Sequence, residues 1–114
     1  MTLDFLPEAV KELEAASLWY ESQEAGLGIR FRNEVSHVVG KIVADPLLWR
    51  ERSGGWRRVN CPVFPYYVAY FIRGDAILVA AVAHGHRRPG YWRKRKEPGA
   101  EGGGEELGVG SPNR

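Results

Sequence analysis

Residues 81–95, AVAHGHRRPGYWRKR, hold the side chains of this chain that are best suited to chemistry. An apolar run ends there at His84, whose imidazole titrates near neutral pH and is a candidate acid or base. Basic and aromatic residues follow at once, and guanidinium groups bind phosphate while aromatic rings stack on bases. We therefore predict a binding or reacting surface that the apolar run fixes to the folded body. Its members are Arg87, Arg88, Tyr91, Trp92, Arg93 and Arg95.

Three interpretations of this basic surface, which Arg57 and Arg58 extend, stay open. It binds nucleic acid, captures an acidic protein segment, or serves only solubility. His84 is likewise either an acid-base group or a histidine that is hydrogen-bonded at the end of a strand. His86 could face the same way as His84, but the sequence places no third metal ligand near them. We expect neither a metal site nor a cofactor, and we expect Cys61 to be a small buried strand residue.

Charge is segregated along the chain, although the net charge is only +2. Residues 1–45 carry four Lys or Arg against eight Asp or Glu, whereas residues 46–96 carry eleven against two. The second part is therefore strongly basic, with a net charge of +9, while residues 97–114 have a net charge of −3. Such a basic half attracts an anionic partner over long range.

The 114 residues suffice for one small domain. No apolar run approaches the ~20 residues of a membrane span, and no basic-then-apolar signal begins the chain. We therefore expect a cytoplasmic protein that does not bind membranes. Residues 97–114 are rich in Gly and Glu and nearly free of apolar side chains, so we expect a domain over 1–96 and a disordered tail over 97–114.

The first half of the domain has the periodicity of a short strand followed by two helices. Residues 2–6 alternate weakly, and Pro7 suits the first position of a helix. Apolar residues recur at spacings of three and four as far as Tyr20, and the pattern returns between Phe31 and Ile42. Glycines at 26 and 28 mark a tight connection, so the two helices should form an antiparallel hairpin. We expect Trp19 and Tyr20 in the core, and Glu21 and Glu24 on a solvated face.

The second half has the signals of three strands, at residues 56–60, 66–72 and 77–83. The last two are apolar on both faces, which predicts central strands, and Gly74-Asp75 between them predicts a tight hairpin turn. We therefore predict an α+β domain. In it, an N-terminal strand leads to an antiparallel helical hairpin, which packs on one face of a mainly antiparallel four-stranded sheet.

The order of these features resembles the RelE/ParE superfamily of bacterial toxins, over a stretch from about Phe5 to Arg95. The motifs that carry the resemblance are Trp19-Tyr20-Glu21, Gly26-Leu27-Gly28-Ile29-Arg30-Phe31 with Glu34-Val35, Arg57-Arg58-Val59, Phe64-Pro65-Tyr66 with Val68 and Tyr70, and Ala81-Val82-Ala83-His84 leading to Arg87, Pro89, Tyr91-Trp92 and Arg95. The resemblance implies a RelE/ParE-like fold. It also implies the growth-inhibiting toxin of a type II toxin-antitoxin (plasmid stabilisation) system, which a cognate antitoxin neutralises in a hetero-oligomer.

The resemblance implies one of two activities. RelE-like members are ribosome-dependent endoribonucleases that cut mRNA, whereas ParE-like members poison DNA gyrase and are not enzymes. A nuclease needs a base for the 2′-hydroxyl, cations for the phosphate and an acid for the leaving oxygen. Arg57 or Arg58, His84, Arg87 and Tyr91 are the residues that would fill these roles. A non-toxic nucleic-acid-binding domain of the same fold is a third possibility.

The middle strand favours the ParE-like branch. RelE-like nucleases commonly carry an arginine there, where this chain has Tyr67, and the patterns Phe-Pro-Tyr and Ala-His-x-x-Arg are closer to ParE-like members. The resemblance therefore favours binding of gyrase over cutting of RNA. The residues expected to contact the target or the antitoxin are Arg57, Arg87, Arg88, Tyr91, Trp92, Arg93 and Arg95.

Overall fold

A computed structural model of the chain describes residues 1–96; the tail predicted over 97–114 lies outside the described residues. The elements follow the predicted order and nearly the predicted bounds. They are β1 (Thr2–Phe5), α1 (Pro7–Gln23), α2 (Leu27–Ala44), β2 (Trp56–Asn60), β3 (Tyr66–Arg73) and β4 (Ala76–His84). No helix within residues 1–96 is both long and apolar enough to cross a membrane.

The four strands form one mixed sheet in the order β1-β4-β3-β2. β2, β3 and β4 are antiparallel neighbours, and the predicted turn at Gly74 joins the last two with a φ of +58°. β1 pairs with β4 in parallel, from Thr2 opposite Ala76 to Phe5 opposite Val79. The mainly antiparallel α+β architecture is confirmed, and both central strands are buried on both faces.

The two faces of the sheet are covered differently. The helical hairpin covers one face, where Phe31, Val35 and Ile42 pack on Val68 and Val79. The segment 85–96 covers the other face, which we call the open face because no helix of residues 1–96 lies on it. There Trp92 packs with Trp56 and Tyr67 in a second apolar cluster. A bulge opposite Ala69 and Tyr70 shifts the register of β4, so that both Ala80 and Ala81 join this second cluster.

Two glutamates of the hairpin fix backbone segments that would otherwise lack partners. Glu21 accepts hydrogen bonds from the backbone N–H groups of Gly26 and Gly28, at 2.9 and 3.0 Å, and so satisfies donors at the start of α2. Glu34 accepts from Val63 and Phe64, both at 2.9 Å, and holds the loop before β3. Glu21 is exposed, as predicted, and its carboxylate has this structural role in addition.

Gly28 allows the two helices to approach closely. A Cβ atom at this position would lie 2.5 Å from the backbone oxygen of Ser17 in α1, which no ordinary contact allows. At Gly40, farther along the same helix, a Cβ atom would have no neighbouring atom within 4 Å. The requirement for glycine therefore comes from helix packing and is confined to the start of α2.

We expect Gly28→Ala to lower the free energy of unfolding, because overpacking against backbone costs about 1–3 kcal/mol. Gly40→Ala is the matched control and should raise it, since alanine is favoured over glycine in an open helix position by ~1 kcal/mol. Urea unfolding followed by circular dichroism measures both. A Gly28→Ala protein as stable as Gly40→Ala would contradict the close approach at Ser17.

Candidate functional site

A half-buried carboxylate on α1 organises the basic C-terminal segment. Glu12 has a side chain that is 16% exposed, and it accepts a hydrogen bond of 2.5 Å from the Tyr91 hydroxyl. The Arg95 guanidinium donates to both of its carboxylate oxygens, at 2.9 and 2.8 Å. Arg87 adds a longer ion pair at 3.9 Å. Three residues of the predicted surface therefore converge on one carboxylate.

Glu12 occupies the place where the edge of β4 is left bare. β1 ends at Phe5, opposite Val79, so among the described strands none pairs with the rest of β4 on that side. The backbone N–H of Val82 donates instead to Glu12, at 3.0 Å. Arg95 donates to the carbonyl oxygen of Ala80, also at 3.0 Å. The ion pair thus satisfies backbone groups that a fifth strand would otherwise bond.

A groove of about 240 Å³ lies between α1 and the end of β4, beside Glu12. Tyr66 and His84 line it with their rings 5.1 Å apart, edge to face. The Nδ1 atom of His84 accepts the backbone N–H of His86 at 3.0 Å, which fixes the imidazole at the strand end. Arg87 and Tyr91 complete the wall, and the Arg87 guanidinium stacks 3.7 Å above the Tyr91 ring. The structure therefore brings together His84, Arg87 and Tyr91.

Tyr91 is held in its protonated form. Burial, followed by the hydrogen bond that Tyr91 donates to Glu12, raises the pKa of its hydroxyl above the ordinary tyrosine value. The nearby guanidinium groups of Arg87 and Arg95 lower this pKa, but by less. At neutral pH the phenol is thus a hydrogen-bond donor already committed to Glu12. In this arrangement it cannot act as a general base.

The structure does not bring Arg58 to this groove. Arg58 lies on the open face, where its guanidinium stacks 4.0 Å above the Tyr67 ring and donates to Asn60. Arg57 alternates to the other side of β2, donates to the backbone oxygen of Trp49 at 2.9 Å and pairs with Glu51 at 3.6 Å. The predicted catalytic set is therefore not gathered in one place, because His84, Arg87 and Tyr91 line the groove and Arg58 does not.

The prediction that Trp92 belongs to a presented surface was wrong. Its side chain is 0% exposed, and its indole Nε1 donates to the hydroxyl of Tyr67 at 3.2 Å. The open face needs an apolar cover, and Trp92 supplies it, packing edge to face on Trp56 with ring centroids 4.6 Å apart. Arg95 is also turned inward, whereas Arg87, Arg88 and Arg93 remain exposed.

Sequence reasoning missed Glu12, Tyr66 and Trp19 as parts of the groove. Trp19 was expected in the core but is 59% exposed and lines the groove, while Tyr20 packs on the core as predicted. The sequence did indicate a special role for Glu12, because this residue follows Ala9 by three positions and so lies on the apolar stripe of α1. A carboxylate on a buried stripe requires a cation or several donors.

The described residues contain no group of three or more His, Cys, Asp or Glu side chains that could hold a metal ion. Cys61 is buried as expected. Burial, followed by the charge of Glu34, raises the pKa of its thiol to about 11. The thiolate that would act as a nucleophile is therefore scarce at neutral pH.

Comparisons with known proteins give one matching family model and a solved structure of similar fold. The family model of the ParE toxin of type II toxin-antitoxin systems, parDE, matches residues 3–89. A solved structure of the chromosomal ParDE toxin-antitoxin system from P. aeruginosa is similar in fold, with a TM-score of 0.57 and 18% sequence identity. The similarity covers 74% of this chain and 95% of that one. A comparison with curated proteins finds no match.

We expect Glu12→Gln to lower the free energy of unfolding by about 2–3 kcal/mol, because the amide oxygen cannot replace charged hydrogen bonds to Arg95. Glu14→Gln, at an exposed position of the same helix, is the matched control and should change stability by less than ~0.5 kcal/mol. Urea unfolding measures both. Equal stabilities of the two variants would show that Glu12 does not hold the C-terminal segment.

Proposed function

Since the chain belongs to the ParE toxin family of type II toxin-antitoxin systems, we propose that it inhibits growth by binding DNA gyrase, without being an enzyme. The proposed contact surface is the exposed part of residues 85–96, in which Arg87 and Arg88 are the leading side chains. These two guanidinium groups follow the fixed end of β4, so a partner meets them in a defined place. Charges presented in this way accelerate and orient association with an anionic surface.

The proposal rests on one observation: side chains that a nuclease would use are bonded to other parts of the chain or lie away from the groove. Tyr91 is bonded to Glu12 with its pKa raised, and Arg95 is committed to the same carboxylate. The middle strand has Tyr67, which is itself buried and bonded to Trp92. Arg58 is not among the residues that line the groove. This arrangement supports binding over catalysis.

A cognate antitoxin is the second partner that the family implies. We place the antitoxin contact on the outer side of the helical hairpin, because this side has a hollow of about 670 Å³ lined by Leu18 and Ile29. These side chains are 73% and 63% exposed. Exposed apolar surface that is gathered in one place is typical of protein interaction sites.

A ribosome-dependent endoribonuclease is the second candidate function. One observation favours it, namely that His84, Arg87 and Tyr91 share a groove. For cleavage, His84 would act as the acid-base group and Arg87 would stabilise charge on the phosphate. Such a mechanism would require the Tyr91 hydroxyl to leave Glu12, or to take no part in proton transfer.

Expression of the full chain without antitoxin separates the two functions. We expect growth arrest, induction of a DNA-damage reporter, unchanged mRNA ends within translated codons, and inhibition of purified gyrase in a supercoiling assay. Reversal of charge in Arg88→Glu should weaken gyrase inhibition by about ten-fold or more. The matched control is Arg30→Glu, an exposed arginine of α2, which should inhibit like the unmodified chain.

Two outcomes would contradict gyrase as the target. New cuts within translated codons, abolished by His84→Ala, would establish the nuclease instead. Normal growth at a verified level of folded protein would contradict both activities and favour a non-toxic domain of this fold. Loss of gyrase inhibition in Arg88→Glu is evidence for a contact by Arg88 only if the melting temperature of this variant equals that of Arg30→Glu.

A further inference from the structure

A second hollow lies on the open face, away from the groove beside Glu12. It has a volume of about 390 Å³ and reaches from the start of α1 to the ends of β2 and β3. Its apolar lining consists of Leu6, Trp56, Phe71 and Leu78. Three of these residues are buried, and Phe71 is half-buried. An apolar recess of this kind accepts one large apolar side chain.

Cationic side chains surround this apolar recess. Arg73, Arg93 and Lys96 line it and are all exposed. The Arg73 guanidinium lies 4.7 Å above the Phe71 ring, and that of Arg93 lies 5.7 Å from the Trp56 ring. Within residues 1–96, no carboxylate lies within ion-pair distance of any of the three. They differ in this from Arg95, which also lines the hollow but is neutralised by Glu12.

Trp56 adds an unused donor to the same wall. Its Nε1 atom is buried and lacks a hydrogen-bond partner among the described residues. A buried donor without an acceptor is unfavourable, so native structures nearly always supply one. The neighbouring indole of Trp92, in contrast, is bonded to Tyr67. An oxygen-rich ligand on this wall would offer the acceptor that residues 1–96 do not.

We propose that this hollow binds an acidic peptide segment of a protein partner, in which one large apolar side chain is flanked by carboxylates. The apolar side chain enters the recess between Leu6 and Phe71, and the carboxylates pair with Arg73 and Arg93. A bidentate guanidinium pair suits a carboxylate in geometry as well as in charge. Lys96 extends the positive rim toward the next residue of the peptide.

The observations favour a peptide over a nucleic acid. Binding of single strands relies on exposed aromatic rings on which bases stack. Here the Trp56 ring is 5% exposed and lies beneath the guanidinium groups of Arg52 and Arg93. Arg73 covers Phe71 in the same way. The rings therefore support the cations, while the recess between them is left for an aliphatic or aromatic side chain.

This inference goes beyond the proposed function and does not depend on it. Gyrase inhibition is assigned mainly to Arg87 and Arg88, which do not line the hollow, whereas Arg93 and Lys96 belong to both surfaces. Arg73 lies outside residues 85–96 and lines only the hollow. A chain that failed to inhibit gyrase could still bind the peptide, and the reverse also holds. Arg73→Ser therefore tests the hollow alone.

The experiment uses the uniformly ¹⁵N-labelled full chain and the probe acetyl-Glu-Glu-Leu-Glu-Glu-amide, with the indole N–H signals of the four tryptophans as reporters. We expect a saturable shift of the Trp56 signal, assigned with a Trp56→Phe variant. Replacing the leucine of the probe with glycine should weaken binding about ten-fold or more, because the buried apolar area is lost. Arg73→Ser with Arg93→Ser should weaken it about ten-fold or more, whereas Arg30→Ser should not change it.

The opposite results overturn the proposal. Equal affinity for the leucine and glycine probes would show that charge alone attracts the peptide and that the recess is unused. An unchanged affinity in the double serine variant, with its fold verified by the remaining amide signals, would remove the cationic rim from the interaction. Tighter binding of an oligothymidylate at the same signals would assign the hollow to nucleic acid instead.

Discussion

The pairing of Glu12 with Arg95 and Tyr91 is the interaction on which the functional end of the molecule depends. It joins residues 79 to 83 positions apart in sequence and covers the edge of β4 beyond the end of β1. Without it, Val82 N–H and Ala80 C=O would face either solvent or an apolar surface. The same contact keeps segment 85–96 on the sheet, with Trp92 inserted over the open face. The position of Arg87 and Arg88 follows from that anchorage.

Glu12 is one of three glutamates by which the helical hairpin holds other parts of the chain. Glu21 satisfies the start of α2, and Glu34 holds the loop that leads into β3. Each accepts backbone N–H groups, for which two carboxylate oxygens are well suited. Motifs that looked like acidic surface in the sequence are therefore structural. In this chain they join Glu21 to Gly26-Leu27-Gly28: Glu21 accepts the backbone N–H groups of Gly26 and Gly28, and Gly28 lets the helices meet.

The fold was predictable because local patterns agree with it. Helical periodicity, the Gly74-Asp75 turn and two strands that are apolar on both faces together specify a hairpin of helices on a central pair of strands. The site was less predictable because it depends on contacts across the whole chain. Sequence spacing could not show that Trp92 faces inward or that Tyr91 meets Glu12, since both depend on where segment 85–96 crosses the sheet. Arg57 and Arg58, adjacent in sequence, lie on opposite faces by the alternation of a strand.

The contrast between the two cationic regions follows from the same anchorage. Beside Glu12, the charge of Arg95 is neutralised and the Tyr91 phenol is held protonated, so these two side chains serve to fix the C-terminal segment. Around the second hollow, Arg73 and Arg93 keep their charge available. A molecule built in this way has cations that position the chain and other cations that meet partners. Arg88 belongs to the second kind, and Arg87, which is exposed but forms a long ion pair with Glu12 at 3.9 Å, belongs to both.

The most direct test of the Glu12 anchorage is the ionisation of Tyr91, followed by the ¹³Cζ signal of labelled tyrosine between pH 8 and pH 11. Tyr91 should stay protonated beyond pH ~10, where an unperturbed tyrosine is half ionised. Glu12→Gln should move its ionisation part of the way back toward that value, since it removes the negative charge and leaves the Tyr91 hydroxyl only a neutral amide oxygen as acceptor, while burial still raises the pKa of Tyr91. Ionisation of Tyr91 near pH 10 in the unmodified chain, unchanged by Glu12→Gln, would show that the two side chains do not interact and would contradict the anchorage.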